Sequence, residues 1–275
     1  MPSPMTGTAF HDFEHAGWRQ AAGQYDAAFA RLTGQAVAPL LAAVGVGPGT
    51  RLLDLAAGPG YAAAEAARRG AQALAIDFAA EMVELGRRRH PRIELRQGDV
   101  EELDLPDGGH DAAVMAFGLL HLARPDRALA EAYRVLRPGG RFAATVWAPP
   151  QRAIGFRLVL DAVRAHGRDQ VGLPAGPPFF RFSDHAEFGR SLEAARFTAV
   201  AVREVALEWV LRDAGEFLAA MRFGTVRTGA LLAAQTPAGL AAISADVTRA
   251  CAAYAGPLGL HLPMPAVLAV GTRSA

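Results

Sequence analysis

The sequence predicts an α/β fold: a doubly wound, mostly parallel sheet with helices on both faces, preceded by N-terminal helices and completed by a helical lid. The first observation is that short apolar runs alternate with helical patterns between residues 51 and 147. The second is that three of these runs end at or next to a carboxylate, at Asp54, Asp77 and Asp99. Alternating strands and helices are typical of parallel sheets, whose ligands lie beyond the carboxyl ends of the strands. The three carboxylates therefore mark the edge where we expect a binding site.

The loop after the first predicted strand is the strongest local motif. Asp54 precedes a turn of small residues that contains Gly58 and Gly60 and opens an alanine-rich helix. Glycines allow a ligand to approach the backbone closely, and the N-terminus of the helix presents free N–H groups. The spacing Gly58-x-Gly60-x-x-Ala63 also fits the dinucleotide fingerprint. The loop thus indicates a nucleotide cofactor but leaves NAD and other adenosine cofactors open.

Periodicity and turn residues place the remaining elements in order. Two short helices are expected between residues 10 and 41, before a turn-rich segment at residues 45–50. Seven strands, forming a Rossmann-like sheet, are expected at residues 51–55, 73–77, 93–97, 111–117, 141–147, 200–211 and 266–270. Helices are expected at residues 61–69, 79–89, 125–136, 154–165 and 184–195, with a further helical stretch at 216–254 that is interrupted at Gly229 and Pro237.

The change of pattern after residue 147 divides the chain into three parts. Residues 1–45 are expected to form an N-terminal helical cap, residues 46–147 the cofactor-binding core, and residues 148–275 lid segments plus the last strands of the same domain. Proline and glycine at residues 149–150 and 172–178 bracket the first lid helix. Asp184 followed by Glu187 fits a capping box at the start of the next helix.

Composition narrows the class of protein. The chain has 275 residues, 51% of them hydrophobic, and a formal net charge of +1, so no overall positive field favours nucleic acid or an anionic membrane as a partner. Lysine is absent from the sequence, which excludes a Schiff-base lysine and a P-loop lysine. The single Cys251 fits a reducing compartment, and neither a leader at residues 1–10 nor a bilayer-spanning run is evident. We expect a cytoplasmic protein that acts on a small molecule, and a homodimer is compatible with the sequence.

Four motifs then carry a family resemblance. In order along the chain they are Leu53-Asp54-Leu55-Ala56-Ala57-Gly58-Pro59-Gly60, Ile76-Asp77-Phe78-Ala79-Ala80-Glu81-Met82, Gly98-Asp99-Val100-Glu101-Glu102-Leu103 and Leu136-Arg137-Pro138-Gly139-Gly140. Their order and spacing resemble those of class I S-adenosylmethionine (SAM)-dependent methyltransferases of the small-molecule type, similar to the ubiquinone and menaquinone biosynthesis methyltransferases. The similarity is strongest between about residues 18 and 147. Ala56 departs from the family, which has glycine at that position.

The resemblance implies SAM as the cofactor and a role for each matching residue. SAM carries a sulfonium and an ammonium group but no pyrophosphate, so carboxylates such as Asp54 suit it. Asp77 is expected to accept both ribose hydroxyls. By resemblance, Phe78 and Met82 cover the adenine, Asp99 and the N–H of Val100 read its amino edge, Phe117 passes near the sulfonium, and Trp18 and Tyr25 close over the methionyl end. The expected cofactor residues are Trp18, Tyr25, Asp54, Ala56, Gly58, Gly60, Asp77, Phe78, Met82, Gly98, Asp99, Val100 and Phe117.

Other candidate side chains have less specific interpretations. His121, just after the fourth strand, is a candidate general base, although packing beside the cofactor or capping a helix would also explain it. The segment from His11 to His15 has an inverted zinc spacing but no third ligand, so we expect no metal site. Six aromatic residues are candidates either for an apolar acceptor pocket or for the core: Phe156, Phe179, Phe180, Phe182, Trp209 and Phe223.

The sequence thus predicts methyl transfer from SAM to a small, apolar or aromatic acceptor at an oxygen, nitrogen or carbon atom. Such a reaction depends mainly on alignment, exclusion of water and removal of a proton. Two alternatives stay open. The first is a SAM-binding fold that carries out a non-methylating reaction such as cyclisation or decarboxylation, and the second is an NAD-dependent oxidoreductase.

Overall fold

A computed structural model describes residues 5–274 of the chain, with side chains from residue 9 onwards. Residues 1–4, the start of the stretch considered for a leader, and residue 275 lie outside the described part. The two short helices predicted between residues 10 and 41 are instead one helix of 24 residues, α1 (Met5–Ala28), followed by short helices. A Cβ on Gly17 would lie 2.4 Å from Val226, so this glycine in α1 allows close packing rather than a break.

Seven strands form the main sheet, as predicted, and three more form a small second sheet. The strands in chain order are β1 (Arg51–Leu55), β2 (Gln72–Asp77), β3 (Glu94–Gln97), β4 (His110–Ala116), β5 (Leu136–Trp147), β6 (Phe197–Val205), β7 (Glu208–Leu211), β8 (Ala255–Gly256), β9 (Gly259–Pro263) and β10 (Ala266–Arg273).

Helices fill the intervals between the strands. After α1 they are α2 (Ala30–Thr33), α3 (Val37–Ala43), α4 (Tyr61–Arg68), α5 (Ala80–Arg89), α6 (Pro125–Val135), α7 (Ile154–His166), α8 (His185–Ala194), α9 (Ala214–Phe223), α10 (Arg227–Ala233) and α11 (Pro237–Cys251).

The main sheet has the strand order β3-β2-β1-β4-β5-β10-β6. Strand β1 pairs in parallel with β2 on one side and with β4 on the other, so the order reverses between β1 and β4. Strand β10 is antiparallel to both of its neighbours. This topology confirms the mostly parallel, doubly wound fold, and it places the loops after β1 and β4 side by side at the switch point, where ligands of such sheets bind.

Two predicted elements after residue 195 are wrong in detail. The strand predicted at residues 200–211 is two strands in different sheets, β6 and β7, because the chain leaves the main sheet between them to pair β7 with β9. The helical stretch breaks at residues 224–226 rather than at Gly229, which lies inside α10. A Cβ on Gly229 would lie 2.5 Å from the carbonyl oxygen of Arg222, so close packing explains this glycine.

Residues 148–182 and 206–265, which lie between β5 and β10 on either side of α8 and β6, form a cover beside the main sheet. Helix α11 packs against α7 and α9, which in turn contact strands β9 and β7 of the small sheet formed by β7, β9 and β8. Asp184 caps α8 by accepting the N–H of Glu187 at 2.9 Å, as the capping box predicts. The division into cap, core and lid stays a prediction.

Within residues 5–274, no helix is both long and apolar enough to cross a membrane.

Candidate active site

One cavity lies at the switch point and brings together residues from α1, the core loops and the cover. Its lining includes His121 and all the predicted cofactor residues except Gly60. The roles assigned to these residues stay predictions, but their proximity is a property of the fold. The lining residues that sequence reasoning did not single out as site residues include His11, Phe29, Thr33, Trp147, Thr225, Val226, Arg227 and Thr228.

Asp54 supplies a buried carboxylate with an unused oxygen. Its Oδ2 accepts the N–H of Ala63 in the first turn of α4 at 2.9 Å, while its Oδ1 is buried without a hydrogen-bond partner among residues 5–274. Burial raises the pKa of Asp54 to about 8. An ionised carboxylate in this place lacks a compensating positive charge, so the site fits a cationic ligand such as SAM.

Asp77 ties two loops together at the same edge. One oxygen accepts the N–H of Gly58 at 2.8 Å and the other accepts the N–H of Ala79 at 2.9 Å. Burial raises the pKa of Asp77 to about 6, although these two hydrogen bonds oppose the shift. Each carboxylate oxygen has a second lone pair, so Asp77 can hold the loop and still accept hydroxyl groups of a ribose.

The third predicted carboxylate meets a residue of α1. Asp99 accepts the N–H of Glu101 at 2.8 Å, and its other oxygen lies 3.3 Å from Nε2 of His11. The ring of His11 also meets Phe78 edge to face, with centroids 5.7 Å apart. The predicted adenine region therefore has a wall of α1 that was not anticipated.

The glycines of the first loop serve different purposes. Gly58 has a φ of +54° and lines the cavity, whereas Gly60 has a φ of +79° and precedes α4 behind the lining. A Cβ on Gly60 would lie 3.2 Å from the side chain of Leu95. Gly60 is thus required by the turn and by packing, rather than by contact with a ligand.

Ala56 shows why glycine is favoured at its position. Its φ is +49°, a left-handed conformation that costs an alanine about 1–2 kcal/mol. A Cβ on Gly118 would lie 2.7 Å from the Cβ of Ala56, so the loops after β1 and β4 touch here. The absence of a side chain at Gly118 makes room for the methyl group of Ala56.

Strained backbone also marks the loop after β4. Phe117 has a φ of +56°, and its N–H donates to the carbonyl oxygen of Thr145 at 2.9 Å. Its ring stacks on Trp147 with a centroid distance of 4.1 Å. Unusual φ values of this kind often cluster at ligand-binding sites, and here they turn an aromatic surface towards the cavity.

One face of α1 forms a wall of the cavity. His11, Glu14, Trp18 and Tyr25 follow one another at separations of three, four and seven residues, which place them on the same side of a helix. Trp18 meets Tyr25 edge to face at 5.4 Å and His121 at 4.7 Å. Trp18 and Tyr25 therefore lie where they could cover the methionyl end of the cofactor, as predicted for them.

Polar contacts hold α1 against the core. Arg19 donates to Glu81 in α5 at 2.8 Å. Near the end of α1, Asp26 accepts a hydrogen bond from Tyr61 and pairs with Arg89. These contacts, in the middle of the wall and at its C-terminal end, fix the orientation of this face of α1.

The pairing of Glu14 was missed by sequence reasoning. Its side chain is 0% exposed, and its two oxygens lie 2.9 Å from Nδ1 of His121 and 2.8 Å from Nε of Arg227. Buried carboxylates are rare unless they are paired. The helical periodicity of α1 could have indicated this pairing, because it places Glu14 on the same face as Trp18.

The six candidate aromatics separate into different environments. Phe156 and Phe179 line the cavity, with Phe180 packed behind them. The remaining three are core or surface residues: Phe182 and Trp209 are buried, and Phe223 is 53% exposed. Of the six, only Phe156 and Phe179 lie where an acceptor in this cavity would touch them, and their role as an acceptor pocket stays a prediction.

The buried carboxylates predict a pH dependence of stability. Folded Asp54 and Asp77 have pKa values of about 8 and about 6, against an ordinary value of 3.8. Between pH values of about 4 and about 8 the ligand-free folded chain therefore holds more protons than the unfolded chain, and its free energy of unfolding falls as pH rises. We expect SAM, a cation, to raise the Tm more at a pH of about 8 than at about 6, as measured by differential scanning fluorimetry.

An Asp54→Asn variant provides the control for this titration. Without the Asp54 carboxylate, the Tm of the ligand-free protein should depend less on pH in the same window. A ligand-free Tm that rises with pH over this range, or a gain from SAM that is the same at both values, would contradict the assignment.

Comparisons with known proteins agree with this geometry. A family model described as a methyltransferase domain matches residues 53–144. The demethylmenaquinone methyltransferase of Beutenbergia cavernae is 41% identical over 123 residues, which are 43% of this chain and 51% of that protein. The demethylmenaquinone methyltransferase of Mycobacterium sp. (strain KMS) is 33% identical over 174 residues, which are 60% of this chain and 74% of that protein.

A solved structure gives the same picture of the fold. The YcgJ protein of Bacillus subtilis is 17% identical, with a TM-score of 0.57, and the alignment covers 87% of this chain and 98% of that one. The chain spans about half the length of the first curated relatives that it matches. The residues matched by the family model, 53–144, include the predicted cofactor residues from Asp54 to Phe117.

Proposed function

This chain belongs to the family of SAM-dependent methyltransferases that includes the demethylmenaquinone methyltransferases, and we propose that it methylates a ring carbon of a quinol-type aromatic acceptor. The relatives named above support the quinone class of the acceptor. Trp147, Phe156 and Phe179 form an aromatic compartment in the same cavity as the predicted cofactor residues. This compartment supports a planar, apolar ring as the acceptor.

One observation carries the proposal: carboxylates suited to a cationic cofactor and an aromatic compartment share one cavity. Asp54 and Asp77 lie on one side, at the ends of β1 and β2. Phe117 and Trp147 stack on each other in its lining, and Phe156 contacts Trp147 at 5.6 Å. A cofactor and a flat acceptor would therefore lie next to each other in one cavity.

The chain's own residues position the reactants and manage a proton. When bound, SAM supplies a methyl group that is activated by the sulfonium charge. Asp54 and Asp77 would hold the cofactor, and Trp147 with Phe156 would hold the ring. His121 would take the hydroxyl proton of the acceptor at Nε2, which increases the electron density of the ring. As the bond from methyl to sulfur breaks and the bond from methyl to the ring carbon forms, the hydrogen on that carbon would leave to solvent as a proton, and His121 would return its proton to the oxygen.

The test is methyl transfer itself. Purified protein is incubated with SAM carrying an isotopic label in its methyl group and with a chemically reduced naphthoquinone. We expect S-adenosylhomocysteine and a ring-methylated product in equal amounts, identified by mass spectrometry. A label found on oxygen would show that oxygen, and not carbon, is the methylated atom. If the chain binds SAM but gives no labelled product with a series of quinols, the proposed acceptor class is wrong.

A further inference from the structure

A polar cluster lies in the part of the cavity that Phe156 and Phe179 line. It consists of Glu14 from α1, His121 from the loop after β4, and Arg227 at the start of α10. His121 and Arg227 line the cavity, and the carboxylate of Glu14 joins them from behind. The rings of Trp18 and Phe179 pack against His121.

Glu14 determines which nitrogen of His121 carries a proton. An ionised carboxylate only accepts hydrogen bonds, so Nδ1 of His121, 2.9 Å from Oε2 of Glu14, must be the donor. In a neutral imidazole the lone pair is then on Nε2. Among residues 5–274, no hydrogen bond of the protein engages that nitrogen. The pair therefore presents a base to the cavity rather than a donor.

Arg227 retains an unused donor at the same place. Its Nε donates to Glu14 at 2.8 Å and its Nη1 donates to the carbonyl oxygen of Pro177 at 2.8 Å. Its Nη2 is buried and has no hydrogen-bond partner within the described chain. A guanidinium group stays charged at every relevant pH, so this nitrogen favours an oxygen with negative charge.

Phe179 shows that the base and the cation serve one compartment. Its ring centroid lies 5.9 Å from that of His121 and 5.6 Å from Cζ of Arg227. The same ring contacts Phe156 at 5.4 Å. A flat acceptor against these aromatic rings would have both polar groups at its edge.

We propose that Glu14 is a positioning residue for His121 and that Arg227 is a specificity-determining residue, which donates from Nη2 to the acceptor oxygen that ionises. In the proton transfer the O–H bond of the acceptor breaks, the proton passes to Nε2 of His121, and the electron pair stays on oxygen and delocalises into the ring. Glu14 stabilises the resulting imidazolium, and Arg227 stabilises the oxyanion. The inference rests on the proposed function, because it assigns roles for a hydroxylated ring.

The role of Arg227 is tested by binding, without turnover. The probes are a hydroxynaphthoquinone that is ionised at neutral pH and naphthoquinone itself, titrated into the full chain in the presence of S-adenosylhomocysteine. We expect the wild-type chain to prefer the ionised probe at least about tenfold, in the range of one charge-assisted hydrogen bond, and Arg227→Gln to abolish the preference. Arg222→Gln is the matched control, since Arg222 is exposed and lies over Phe223. A wild-type chain without preference, or an unchanged preference in Arg227→Gln, would overturn the role.

The role of Glu14 is tested with Glu14→Gln, which keeps the shape of the side chain and removes its charge. We expect kcat to fall about tenfold, at the low end of what general base catalysis contributes, while KM for the acceptor and Kd for SAM change less than about twofold. With an acceptor whose hydroxyl is already ionised, the loss should largely disappear. Glu84→Gln makes the same change at a 67% exposed position of α5 and should have no effect.

The two hypotheses fail in different ways. Equal losses of kcat for both acceptors in Glu14→Gln would indicate a merely structural role, and nitrogen NMR showing the proton of His121 on Nε2 would also overturn the positioning role. If the wild-type chain prefers the ionised probe but methylates no quinol, the proposed function is wrong and the assignment of Arg227 stands. If the wild-type chain methylates quinols but does not prefer the ionised probe, the proposed function stands and the role of Arg227 is wrong.

Discussion

Replacing Asp77 by alanine is expected to weaken SAM binding by at least about tenfold, the range for losing charge-assisted hydrogen bonds. The change removes the predicted ribose contact. It also releases the N–H groups of Gly58 and Ala79, which Asp77 holds at 2.8 and 2.9 Å. Isothermal titration with SAM and with S-adenosylhomocysteine measures both effects, and both ligands should lose affinity because both contain the ribose.

The control for Asp77 is a carboxylate at the opposite edge of the same sheet. Asp111 in β4 pairs with Arg51 and Arg137, and Asp111→Asn should leave the affinity for SAM unchanged. A parallel titration with NADH addresses the oxidoreductase alternative. An Asp77→Ala variant that is folded and has the wild-type dissociation constant would disprove the ribose assignment.

Replacing His121 by alanine is expected to lower kcat about a hundredfold, since general base catalysis typically contributes at least that much. The dissociation constant for SAM should change little, because the carboxylates predicted to hold it bond to other groups: Asp54 to the N–H of Ala63, and Asp77 to the N–H groups of Gly58 and Ala79. Added imidazole should restore part of the activity if the missing group acts as a base. Steady-state kinetics with the quinol acceptor, with and without imidazole, provides the measurement.

His166→Ala is a suitable control for His121. His166 lies at the end of α7 and its Nε2 is 3.2 Å from Asp246, outside the residues that line the cavity. Full turnover of His121→Ala with its acceptor would show that no base is needed at this position, and a loss that imidazole does not relieve would indicate packing against Trp18 instead.

The sequence predicted the sheet well because its signals are local. A run such as β1 combines an apolar pattern with a turn directly after it, and all five strands up to β5 were located to within a few residues, apart from an earlier start of β5. The strand predicted at residues 200–211 was wrong because the alternation of apolar and polar residues continues across Ala206 and Leu207, whereas the pairing strand changes there from β10 to β9. Leu207 accepts the N–H of Met264 there, a tertiary contact that no local pattern encodes.

The same contrast applies to the site. Most of the predicted cofactor residues sit in short motifs at the ends of strands, where motif spacing singles them out. Glu14 and Arg227 belong to no motif, because their proposed roles depend on burial beside His121 and on an Nη2 that has no hydrogen-bond partner among residues 5–274. The sequence drew attention to the segment from His11 to His15 only through its zinc-like spacing, and not through Glu14.

The cavity combines contacts of very different chain separation, and this has a consequence for folding. On the cofactor side the carboxylates bond to groups 9 and 19 residues away, whereas Glu14 meets partners 107 and 213 residues away. Long loops are closed late and slowly. During refolding, pulse-labelling hydrogen exchange should show the amides of Gly58 and Ala63 protected before that of Ala230 in α10, which donates to the carbonyl oxygen of Val226. A partly folded chain would then hold the loops of its predicted cofactor residues before Glu14 and Arg227 have met.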